Sequence, residues 1–181
     1  MADVMILWYD IADYPSAGAW EVNCCQGSRM GMPPLRSGTS GELYFDPDDP
    51  SIPGCGQSVN VTLMAEIDEA DPVTALLLNF TFDNTCLEIT DAVGNTANWT
   101  SGVTIQNLES VNENGSLTIS ANVGTNSGIT GTIEVVTLTL KCINCEGCTC
   151  PLDLTLGEYT TEMLETVLPD LNDGSFTCGS S

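Results

Sequence analysis

From residue 42 onward, apolar side chains return at every second position in short runs separated by turn residues. Val59, Val61, Leu63, Ala65 and Ile67 share one parity, while Asn60, Thr62, Glu66 and Asp68 take the other. Leu76, Leu78, Phe80 and Phe82 form a second row, Leu117, Ile119, Ala121 and Val123 a third, and Val136, Leu138, Leu140 and Cys142 a fourth. Leu152, Leu154 and Leu156, then Phe176 and Cys178, complete the series. Successive side chains of a strand point to opposite faces, so each row is the buried face of a half-exposed strand. With Gly, Asn, Asp and Pro between the rows, the pattern predicts an all-β chain, an antiparallel Greek-key or jelly-roll β-sandwich of about nine strands. Asp68, Glu69 and Asp71 read as a hairpin turn. Only Tyr159 to Leu168 reads as a short helix, ended by Pro169.

Residues 1–41 follow a different rule and are assigned to an N-terminal arm, with 42–181 as the sandwich domain. Val4, Met5, Ile6, Leu7, Trp8 and Tyr9 form a continuous apolar run between Asp3 and Asp10. Without polar alternation, such a run wants burial on both faces. It packs either on its own sandwich or, as a donor strand, on an exposed edge of the next subunit. The Gly, Pro and Ser-rich stretch from Ala17 to Thr39 would be the connecting arm, and about 23 extended residues span several tens of Å. A head-to-tail contact of that kind does not close on itself and builds a filament or sheath of identical subunits.

Cysteine changes the picture next. There are nine, at Cys24, Cys25, Cys55, Cys86, Cys142, Cys145, Cys148, Cys150 and Cys178, so complete pairing within one chain is impossible. Either one thiol stays free, one bonds another molecule, or the cluster from Cys142 to Cys150 holds a metal. Its last gap is too short for a ferredoxin run, and with no histidine in the chain the usual mixed zinc sites and c-type haem attachment are unsupported. Disulfides are the leading reading, and they imply an oxidising compartment. Cys24 and Cys25 sit on the arm, where neighbouring cysteines rarely bond each other. The surplus thiol is expected there.

Four sequons, at Asn60, Asn79, Asn98 and Asn114, fit an exported, N-glycosylated chain, with Asn84-Thr85-Cys86 as a weak fifth. Asn60 and Asn79 alternate with apolar neighbours and therefore face solvent. Met1 to Tyr9 lacks the make-up of a secretory leader, so a mature product is expected, and no apolar stretch approaches the roughly 20 residues of a membrane span. Twenty-five acidic residues against Arg29, Arg36 and Lys141 give a formal charge of −22. Such a surface repels phosphate backbones and anionic lipid, which makes nucleic acid and membranes poor partners, whereas cations are attracted.

The segments Gly41-Glu42-Leu43-Tyr44-Phe45-Asp46-Pro47, Gly56-Gln57-Ser58-Val59-Asn60-Val61-Thr62-Leu63 and Leu76 to Ile89 resemble a cohesin-type domain. Gly115 to Ile119, the Val135 to Leu140 strand, Leu152-x-Leu154-x-Leu156 and Asp173 to Thr177 continue the resemblance over roughly residues 42 to 178. It implies a nine-stranded jelly roll of bacterial and archaeal surface proteins, some of which bind dockerin modules while others are structural or adhesive. The many cysteines and the N-terminal extension depart from the cellulosomal pattern.

Two acidic clusters, Asp46, Asp48 and Asp49, and Asp170, Asn172 and Asp173, read first as solvated turns and second as calcium ligands. Catalysis has little footing, since nothing marks a carboxylate pair held across a cleft and no histidine exists. An isopeptide bond from Lys141 is disfavoured because its parity points it outward with Thr137 and Thr139. Trp20 and Trp99 read as packing residues before they read as a sugar platform. The chain is thus expected to be a non-enzymatic, cofactor-free extracellular structural subunit, or alternatively an adhesion module for dockerin-like or glycan partners.

Overall fold

The computed structural model describes residues 41–52, 54–125, 127–162 and 168–180. The apolar run Val4 to Tyr9, Cys24 and Cys25 lie outside the described residues. Eleven strands are described: β1 (Gly41–Asp46), β2 (Ser51–Ile52), β3 (Ser58–Ile67), β4 (Val73–Thr81), β5 (Leu87–Gly94), β6 (Gly102–Ile105), β7 (Ser116–Asn122), β8 (Gly131–Cys142), β9 (Cys148–Thr161), β10 (Asp170–Asn172) and β11 (Gly174–Cys178). One helical element, α1 (Leu108–Asn114), joins β6 to β7. The two very short strands β2 and β10 account for the excess over nine.

The strands form two sheets, ordered β10-β1-β3-β8-β5 and β2-β11-β9-β4-β7-β6. Every described connection except β6 to β7 passes from one sheet to the other. That crossing is what makes the sandwich a jelly roll rather than a meander. Most neighbours are antiparallel, but β10 lies parallel to β1 and β2 parallel to β11.

The rows predicted from alternation are the two inner faces. Val61, Leu63, Ala65 and Ile67 of β3 meet Leu76, Leu78 and Phe80 of β4, with Leu117 and Ile119 of β7, Leu138 and Leu140 of β8, and Phe176 of β11, all buried. The Phe80 ring meets Phe45 edge-on at 5.3 Å and stacks with Phe82 at 5.4 Å. Bulges interrupt the rows where parity slips: at Leu63/Met64 the β8 partner advances, and Val135 and Val136 are both buried there. Outer faces are knitted by polar cross-strand pairs, including Thr62 with Thr137, Thr139 with Asn60, and Thr118 with Asn79.

Two local expectations are corrected. Tyr159, Thr160 and Thr161 continue β9 and pair with Leu76, Ala75 and Val73, so the ladder overrides their helical pattern; residues 163–167 are outside the description. Asp68 to Asp71 does make a tight turn, with the Asp71 N–H donating to the Asp68 carbonyl at 3.1 Å. It is not a hairpin, because β3 and β4 belong to opposite sheets. The turn is a corner.

Candidate functional site

Three disulfides gather at one end of the sandwich. Cys86, just before β5, bonds Cys148 at the start of β9; Cys142, ending β8, bonds Cys178, ending β11; Cys55 bonds Cys145 between the loops on either side. The register explains the crowding: Leu87 faces Cys142 across one sheet, and Cys178 faces Cys148 across the other. Two of the bonds therefore staple sheet to sheet. With Cys142, Cys145 and Cys148 bonded, the cluster is not a metal centre in this structure.

Cys150 was expected among the disulfides and is instead an unpaired, buried thiol. Two residues after Cys148, it shares that residue's parity but lies opposite Phe176, deeper in the core, where no further cysteine faces it. Burial pushes its thiol pKa up, against a lowering hydrogen bond from the Asp83 backbone. An unpaired thiol thus sits in the core, where the sequence placed none.

The opposite end is acidic. An open cavity of about 620 Å³ lies where β1 begins, lined by Glu42, Glu66, Asp68, Glu69 and Asp170 with Gly41, Ile67, Gly131 and Thr132. Gly41 has φ +117°, and a Cβ there would lie 1.8 Å from the Glu66 carbonyl oxygen, so only glycine lets β1 start this close to β3. Nearby, the Tyr44 phenol is held above its ordinary pKa by burial first, then by the charges of Glu66, Glu42 and Asp46. Among the described residues the one cation is Lys141, which contacts Glu88 at 3.3 Å with both side chains more than a third exposed. It points outward, as its parity required.

The two calcium candidates make ordinary turn contacts. The Asp49 carboxylate accepts the Ser175 hydroxyl at 2.6 Å, Asp173 accepts the Leu154 N–H at 2.7 Å, and the Asn172 amide donates to Glu42 at 2.9 Å. Asp46 ends β1 and Asp170 begins β10. Among the described residues no three His, Cys, Asp or Glu side chains are grouped to hold a metal ion.

The sequons occupy four different settings. Asn60 is exposed on β3 and its carbonyl oxygen accepts the Thr139 hydroxyl at 3.0 Å. Asn79 is half-buried on β4 and accepts the Thr118 hydroxyl at 2.8 Å. Asn114 closes α1, donating its amide to the Ser110 carbonyl at 2.7 Å. Asn98 is exposed in the turn from β5 to β6. Its neighbour Trp99 is fully buried, with its indole N–H donating to the Glu134 carbonyl at 3.2 Å, so it is no sugar platform.

One lateral edge needed a device that the sequence did not advertise. β5 is the last strand of its sheet, and the Asn112 side chain of α1 both donates to the Ile89 carbonyl and accepts the Ile89 N–H, each at 2.9 Å. A carboxamide thus stands where a further strand would pair. Asn84 holds α1 in place by donating to the carbonyls of Asn112 and Glu113 at 3.0 and 2.9 Å. No described helix is long and apolar enough to cross a membrane.

No protein-family model matches the chain, and no curated protein matches it. Solved structures do. The cohesin of a Clostridium thermocellum OlpA cohesin–dockerin complex superposes with a TM-score of 0.64 at 10% identity, over 76% of this chain and 98% of that one. An OlpC cohesin from the same organism, also in complex with a dockerin, gives 0.61 at 12% identity over 80% and 96%. A non-cellulosomal cohesin of the archaeon Archaeoglobus fulgidus gives 0.56 at 16% identity over 78% and 91%. The domain has the cohesin-like jelly-roll fold that its strand sequence resembles.

Proposed function

We propose that this chain is a non-catalytic, exported docking module of a cell-surface assembly, and that its sandwich engages a protein partner of the dockerin kind. The observation that carries this reading is the extent of the fold match: it takes in nearly the whole of cohesins whose structures are solved with dockerins bound. Three disulfides support an oxidising, extracellular setting. The absence of histidine from the sequence removes the commonest acid–base group. Calorimetry of the full chain against a panel of dockerin modules tests the reading. Saturable heat with one-to-one stoichiometry is expected; no heat with any module, at protein concentrations up to about 100 times a micromolar Kd, refutes it.

A second reading, self-assembly into a filament or sheath, is favoured by the cysteine arithmetic. Six of the seven cysteines in the described residues bond one another, and the seventh is buried, so the sandwich offers Cys24 and Cys25 no exposed thiol. A bond from the arm to a second copy would use them. Ladders on non-reducing gels that vanish in the Cys24→Ser, Cys25→Ser double variant support this reading, and a lone monomer band at every concentration removes it.

A further inference from the structure

The structure assigns Asn98 as the N-glycan acceptor of the folded chain, its sugar standing over the β5–β6 edge of the sandwich. Asn98-Trp99-Thr100 is a sequon, and the turn displays its three residues differently. Trp99 points into the core and is fully buried, which fixes the turn, while Asn98 points out and is exposed. The turn is further held by the Ala97 N–H on the Asn95 side chain at 3.0 Å and the Gly102 N–H on the Trp99 carbonyl at 2.7 Å. Among the described residues the Asn98 carboxamide has no hydrogen-bond partner, and it is exposed. Its nitrogen can therefore become a glycosidic nitrogen without a hydrogen bond to the described residues being lost.

Two other candidates give something up. Asn114 would lose its amide bond to Ser110, and Asn84 would release the carbonyls that dock α1. Asn79 lies half-buried between β9 and β7, with Thr155 and Thr118 as its cross-strand neighbours. Asn60 keeps its nitrogen free, its carbonyl oxygen accepting the Thr139 hydroxyl, but it sits in the middle of β3 between paired strands, whereas Asn98 stands on a turn. The donor would be a lipid-linked oligosaccharide. The Asn98 side-chain nitrogen bonds the first sugar's anomeric carbon and loses a proton, and the bond from that carbon to the lipid phosphate oxygen breaks. The place matters because Val93 on β5 is 59% exposed, and Gly94 packs so closely on β6 that an added Cβ would lie 2.4 Å from that of Val103. A glycan on the next turn covers this seam.

Peptide mapping by mass spectrometry of the full chain, exported with its disulfides from a host that N-glycosylates secreted proteins, tests the assignment. The Asn98 peptide is expected to carry the glycan in most molecules, the Asn84 and Asn114 peptides to be mostly bare, and Asn98→Gln to lower the intact mass by one glycan. Asn98→Gln made without glycosylation should melt within about 1 °C of the unmodified parent, since the side chain is exposed and makes no hydrogen bond to the described residues. A bare Asn98, whether or not other sequons are occupied, overturns the assignment.

Discussion

The two ends of the sandwich are held by different physics. At one end Cys86–Cys148 and Cys142–Cys178 tie sheet to sheet, and Cys55–Cys145 ties loop to loop. At the other, where Gly41, Ile67 and Gly131 come together, five carboxylates surround a cavity and no described cation answers them. There cohesion rests on buried Ile67, Val73 and Ile133 and on paired hydrogen bonds between Val73 and Ile129 at 3.0 and 2.9 Å. Covalent closure, independent of pH and salt, is concentrated at one end, and repulsion at the other, where only packing and hydrogen bonds resist it. The lesson is that the charge of this chain does not act evenly on its stability.

Breaking the clamp should have the largest effect. The loops closed by its bonds span 36, 62 and 90 residues, and chain entropy assigns each roughly 4–5 kcal/mol when taken alone. Replacing Cys142 and Cys178 together by Ser should lower the unfolding free energy by about 2–5 kcal/mol, read from guanidinium denaturation. At the acidic end, Ile67→Ala should cost about 2–4 kcal/mol by the same measurement, because that side chain is 3% exposed and no bond backs it up. If the alanine variant costs nothing there, packing is not what holds that end. Relieving repulsion should act in the other direction and more weakly. Glu66→Gln with Glu69→Gln should stabilise by a few tenths of a kcal/mol at low ionic strength, and the gain should fade by about 1 M salt.

The smallest effect is alkaline. Tyr44 has a raised folded-state pKa, so its contribution is complete below the ordinary phenol value and is lost as pH climbs through the folded one. Tyr44→Phe should therefore flatten the fall of stability above about pH 10. In the parent, ultraviolet titration should show a phenol ionising above the ordinary value, and Tyr44→Phe should remove that step.

Much of the fold was legible because most strands have one wet and one dry face. Leu76, Leu78 and Phe80, or Leu138, Leu140 and Cys142, cannot alternate so regularly and be anything else. Legibility failed where tertiary contacts decide. Tyr159 to Thr161 carry a local pattern compatible with helix, yet β4 offers them a ladder. The corner at Asp68 has the residues of a hairpin, and only the sheet assignment of β4 tells the two apart. Trp99 was read as a packing residue and is one, although it sits in a polar stretch. Cysteine positions were visible but their partners were not, since pairing depends on register between strands far apart in the chain. The Asn112 plug had no signal beyond an Asn in a short helix; an Asn facing an edge strand is a pattern of space rather than of order.

That plug has a dynamic consequence. An outermost strand normally leaves its outward amides to water, where their hydrogens exchange quickly. The Ile89 N–H instead ends on a side chain whose own position depends on Asn84. Its exchange rate therefore measures the undocking of α1 rather than the fraying of the sheet, and a single amide of β5 serves as a clock for one helical turn.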